Sequence, residues 1–154
     1  LKINLETNGY EILIIMSFFE CYGDFIDEWI NELEGRRIHE LGIANKMLET
    51  VEEFKRLYPK DPWGEKSQNF LNLMFETCKL EKIILEAIKK KNLELLDPLM
   101  KKLREIEMSK MELSEEASNE GLYLSVCNYS KRTFELYNKI CYLFKNLNSL
   151  GETS

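Results

Sequence analysis

The chain has 154 residues, 44% of them hydrophobic and 31% charged, with a formal net charge of −6. Such a balance excludes an intrinsically disordered chain and gives enough apolar side chains for one core without metal or disulfide staples. The acidic excess argues against a general nucleic-acid binder, while leaving room for a local basic patch.

Read in chain order, the first element starts near Asn8-Gly9. That dipeptide between Ile3/Leu5 and Tyr10/Ile12/Ile14 can turn a hairpin. Asn8 with Glu11 three residues on can instead form a capping box. Leu13, Met16, Phe19, Tyr22, Trp29 and Leu33 follow helical spacing, so a helix over about 9–34 is favoured, with Gly35 as its terminator. "ILIIMSFF", residues 12–19, is too short to span a bilayer and acidic residues follow it, so it reads as core.

A second helix is expected over about 36–58, with Ile38, Leu41, Val51, Phe54 and Tyr58 inward and Pro59 ending it. Asp61-Pro62 and Asp97-Pro98 place a capping carboxylate before a proline, and helices are expected to begin there. The helix from 62 to about 91 turns Phe70, Leu71, Met74, Cys78, Ile84, Leu85 and Ile88 inward. The next carries Leu99, Leu103, Ile106 and Met111, and a last one runs over about 121–148 through Val126, Thr133, Tyr137 and Ile140. Short connections join antiparallel neighbours. The expected fold is therefore all-α: residues 1–154 as one up-and-down antiparallel bundle of four to five long helices, with a short extended N-terminal segment as the alternative start.

Chemistry is constrained by the single histidine, His39 in "GRRIHELG". Di-iron bundles need two Glu-x-x-His motifs and zinc-protease helices need two histidines. The four cysteines form no C-x-x-C pair, and no glycine-rich phosphate loop is present. No metal, cofactor or catalytic set is expected. Cys21, Cys78, Cys127 and Cys141 read as reduced thiols of a cytoplasmic protein, with two disulfides in a secreted bundle as the alternative.

Two charged features are candidate binding surfaces. If the helices alternate, the turns near 35 and 91 share one end. Arg36, Arg37, His39, Lys89, Lys90, Lys91, Lys101 and Lys102 then form a basic tip for an anion or an acidic partner, with Lys145 close by. Glu20, Asp24, Asp27 and Glu28 line one side of the first helix as an acidic docking strip or a plain wet face. The functional expectation is a non-catalytic protein–protein interaction module of regulatory type: an inhibitor, an immunity protein or antitoxin, or an adaptor. Its partner is an unidentified protein, or a second copy in a homodimer, with no membrane. Alternatives are a nucleic-acid-associated subunit using the basic tip, an acidic nucleic-acid mimic, and a bundle binding an apolar ligand.

Overall fold

The computed structural model describes the backbone of residues 9–116 and 120–153, and the side chains of 27–92, 94–114, 125–143 and 145. Four helices follow one another: α1 (Gly9–Leu57), α2 (Pro62–Lys89), α3 (Leu93–Glu116) and α4 (Glu120–Thr153). Each packs on its chain neighbours, and α4 returns to α1, closing an up-and-down four-helix bundle. No strand occurs among the described residues. Tyr10–Ile14 are helical, which removes the second arm of the hairpin alternative. None of the described helices is long and apolar enough to cross a membrane.

The first correction concerns Gly35, which lies inside one 49-residue helix and does not end it. A mid-helix glycine costs about 1 kcal/mol against alanine. Packing of α1 against α2 and α4 on both sides of this point outweighs that cost. With the helix unbroken, the inward stripe is Ile30, Leu33, Glu40, Ala44 and Val51, and Ile38 and Tyr58 are exposed. A predicted break at 35 restarts the phase and wrongly turns those two inward.

The turn into α2 follows the expected chemistry. Asp61 caps the helix, its Oδ1 accepting from the Trp63 amide at 2.9 Å, and Pro62 occupies the first turn. Trp63 then meets Phe54 edge-on at 4.4 Å. Gly64 is buried here, and a Cβ on it would come within 2.7 Å of Lys55 Cγ, so the two helices approach across a missing side chain.

At its other end α2 closes with the Asn92 amide on the Ala87 carbonyl at 2.9 Å and the Lys91 amide on Ile88 at 3.1 Å. This is the Schellman arrangement, with Lys91 at φ 55° where glycine is usual. A second correction follows, because α3 begins at Leu93 and Pro98 lies inside it. Pro98 is close enough to the start that few intrahelical bonds are lost.

Two apolar clusters fill the bundle. One holds Leu33, Ile84, Ile88, Leu96, Leu103 and Ile140, and the other Ala44, Val51, Phe70, Leu71 and Met74. Each fully buried large side chain contributes about 1.5–3 kcal/mol. Between the clusters lies a layer of polar residues.

Candidate functional site

All four helices contribute to this layer at core-facing positions. Glu40 stands between Leu33 and Ala44 on α1. Thr77, Cys78 and Glu81 stand between Met74 and Ile84 on α2. Glu107 and Lys110 follow Leu103 on α3, and Ser130 and Thr133 precede Tyr137 on α4. Glu40, Glu81, Lys110, Ser130 and Tyr137 are each at most 2% exposed. Helical periodicity thus delivers charged groups to the interior by the same rule that delivers leucines.

Lys110 is the hub. Its Nζ lies 2.8 Å from Glu107 Oε1, 3.0 Å from Ser130 Oγ and 3.5 Å from Glu40 Oε1. The Ser130 hydroxyl in turn donates to Glu40 Oε1 at 2.9 Å. Burial works against the ammonium, but Glu40 and Glu107 outweigh it and hold the Lys110 pKa above its ordinary value. Thr77 and Thr133 donate back to the carbonyls of Leu73 and Tyr129, their own helices satisfying them.

Glu81 is left out of the ion pairs. No nitrogen or hydroxyl donor lies at full hydrogen-bond distance from either of its carboxyl oxygens or from Glu40 Oε2, and the Tyr137 hydroxyl has no acceptor at that distance; Glu81 instead faces the Glu40 carboxyl and the Tyr137 hydroxyl. Burial, then the neighbouring Glu40, push the Glu81 pKa well up, so it holds a proton more readily than an ordinary carboxyl. Burial also raises Glu107, with Lys110 opposing. The Cys78 thiol, 3.8 Å from the Arg37 carbonyl, is pushed up to about 12 by burial and by Glu40 and Glu81. Burial likewise raises Tyr137. A protonated thiol and a charged ammonium are poor nucleophiles. What the layer can do is hold protons or a cation.

Glu40, Thr77, Glu81, Leu103, Glu107, Ser130, Thr133 and Phe134 close on one another and leave no space for a water molecule between them. Glu107 and Phe134 also line an apolar groove on the outside between α3 and α4, with Met108, Met111, Glu112, Cys127 and Lys131. They therefore separate the polar interior from solvent.

The residues singled out in the sequence fall elsewhere. Because α1 does not turn at 35, Arg36, Arg37 and His39 lie within a helix, with Arg37 near the level at which α2 ends. Arg36 contacts Glu32 at 3.3 Å, Thr133 at 3.4 Å and the face of Tyr129 at 4.9 Å. Arg37 lies 3.7 Å from Glu34, which also takes Lys89 at 2.9 Å. The Lys89 hydrogen bond lowers the Glu34 pKa. His39 is exposed, with its ring 5.7 Å from that of Tyr129. Lys90, Lys91, Lys101 and Lys102 are exposed around the α2–α3 turn, and Lys145 pairs with Asp97. Asp27 and Glu28 are exposed on α1. The side chains of Glu20 and Asp24, and of Cys21, lie outside the described residues. Cys78, Cys127 and Cys141 are free and buried.

The sequence reading placed neither Glu40, Glu81 nor Lys110 in the core, and it turned Met111 inward where Lys110 belongs. Met111 is exposed. A signal was present: Glu81 falls in the same stripe as Cys78 and Ile84, three residues from each. Following apolar letters alone passes over it.

Compared with protein-family models, with curated proteins and with solved structures, the chain matches none of them.

Proposed function

We propose that the protein is a non-catalytic interaction module that acts by binding a partner protein. The partner presents an amphipathic helix to the groove between α3 and α4. The observation that carries this reading is the exposure of Met108 and Met111, 59% and 38%, on the lip of that groove. Methionine side chains adapt to apolar helix faces, and such grooves take residues spaced at i, i+3 or i+4. Glu107 and Glu112 border the groove from α3 and Lys131 from α4, so the partner helix carries a basic flank toward α3 and an acidic flank toward α4. The unreactive states of Cys78 and Lys110 fit a binding role better than a covalent one. The free buried thiols fit a reducing compartment such as the cytoplasm. The nucleic-acid alternative has less support, because Arg36, Arg37 and Lys89 already face acidic side chains.

A photo-crosslinking residue at Met111 tests this in cells, with one at exposed Lys82 on α2 as the control. The expected result is a single protein crosslinked from position 111 and not from 82. Purified, that protein should bind natively folded Met108→Glu at least tenfold more weakly, about 1.4 kcal/mol. Equal binding of the variant would overturn the reading. Crosslinks between two copies of this chain would replace it with a homodimer.

A further inference from the structure

We propose that Glu40, Cys78 and Glu81 form an internal site for one divalent cation of zinc-like softness. Their donor atoms, two carboxylate oxygens and one sulfur, all lie within 4.8 Å of one another. Cys78 and Glu81 stand three residues apart on one face of α2, and Glu40 faces them from α1. A tetrahedral zinc site needs ligand atoms about 3.5 Å apart, given zinc–oxygen and zinc–sulfur bonds near 2.0 and 2.3 Å. Small side-chain rotations close that difference. Sulfur with carboxylate oxygens suits a borderline metal such as Zn²⁺ or Co²⁺ better than Mg²⁺ or Ca²⁺.

The unpartnered atoms point to a ligand independently of that clustering. Both Glu81 oxygens and Glu40 Oε2 are buried with no nitrogen or hydroxyl donor at hydrogen-bond distance, and the two carboxyl groups face each other, an arrangement that needs a proton or a cation between them. The Tyr137 hydroxyl, on a residue 0% exposed, faces Glu81 without closing a full hydrogen bond and is available as a fourth donor. Most buried polar atoms in folded proteins have a partner, so this concentration at one place calls for one. Lys110 does not supply it, because it pairs with Glu107 and with the other oxygen of Glu40.

On binding, the cation takes the place of the Cys78 thiol proton, which leaves to solvent, because only the thiolate ligates a metal. This site stands or falls apart from the partner-binding reading, since no groove methionine takes part in it.

The test is titration of the full chain, stripped with a chelator, with Co²⁺ and then Zn²⁺. The expected result is one Co²⁺ per chain, a thiolate-to-cobalt charge-transfer band, and release of at least one proton per ion, with apparent affinity rising with pH. Zn²⁺ should bleach the band and raise the melting temperature. Cys78→Ser should remove the band, while Cys127→Ser, at a buried thiol outside the cluster, should keep it. Glu81→Gln, the isostere of the protonated carboxyl and therefore safe for folding, should weaken Co²⁺ binding at least tenfold. Binding without a thiolate band, without proton release, or unchanged in Glu81→Gln would overturn the site and leave Glu81 as a proton-holding carboxyl.

Discussion

Glu81 makes the stability of the bundle depend on pH in a definite direction. An ordinary glutamate loses its proton near 4.5, whereas in the folded chain Glu81 keeps it to well above that value. Between the two pKa values the folded state binds more protons than the unfolded one, so stability falls as pH rises through this window. Glu107 adds in the same direction. Lys110, raised above 10.5, contributes stability that is complete below that value and is lost only beyond it, outside the window. Glu81→Gln mimics the protonated form at every pH. In urea unfolding with chelator present it should be more stable than the native chain at pH 8 by about 1–3 kcal/mol, and less dependent on pH between 5 and 8. A variant that is destabilised equally at both pH values would show that the Glu81 carboxylate is held charged.

Single elements carry their own tests. Gly35 and Gly42 lie in α1 with no atom within 4 Å of an added Cβ, and neither has a positive φ. Gly35→Ala should therefore stabilise the protein by about 1 kcal/mol through helix propensity. A helix that ended at Gly35 would respond in the opposite way, because an alanine is strained at a left-handed terminus. The same denaturant measurement thus decides whether α1 is continuous in solution. Lys91, at φ 55° after α2, is the converse case. A left-handed lysine is strained, so Lys91→Gly should raise stability by about 0.5–1 kcal/mol, read as a higher urea midpoint with unchanged slope.

At the scale of the whole molecule, the polar layer ties the four helices together. Lys110 on α3 reaches Glu40 on α1 and Ser130 on α4, and Glu81 on α2 lies against the same group. Removing one partner of a buried ion pair costs about 3–5 kcal/mol, because the other charges stay buried and unpaired. Lys110→Met should therefore lower global stability by that order. Hydrogen exchange should quicken in α1, α2, α3 and α4 together. Faster exchange confined to α3 would mean that the layer does not couple the helices. Lys89 at the end of α2 meets Glu34, so about half of α1 precedes the level at which α2 stops. The Met108→Glu and Met111→Glu surface changes should leave the melting temperature almost unchanged, separating loss of a partner from loss of the fold.

The sequence by itself determined the helical class, the Asp61-Pro62 start of α2 and the inward face of Phe70, Leu71, Met74, Ile84 and Ile88. Caps and periodicity act within a turn or two, and those residues agree with one another locally. Tertiary structure decided the rest. Whether Gly35 ends a helix depends on what α1 packs against, since about 1 kcal/mol of propensity is small beside the packing of several buried side chains. The phase of α1 followed from that outcome, and with it the exposure of Ile38 and the burial of Glu40. The setting of the basic residues followed too: Arg36 and Arg37 lie within α1 beside Glu32 and Glu34, and Lys89 at the end of α2 reaches the same Glu34. Glu81 and Lys110 occupy core positions that one stripe alone assigns to an apolar side chain. Only the four stripes brought together show that Lys110 meets Glu40 and Glu107 while Glu81 is left facing Glu40, because a buried charge is tolerable only where the neighbouring helices supply its partners.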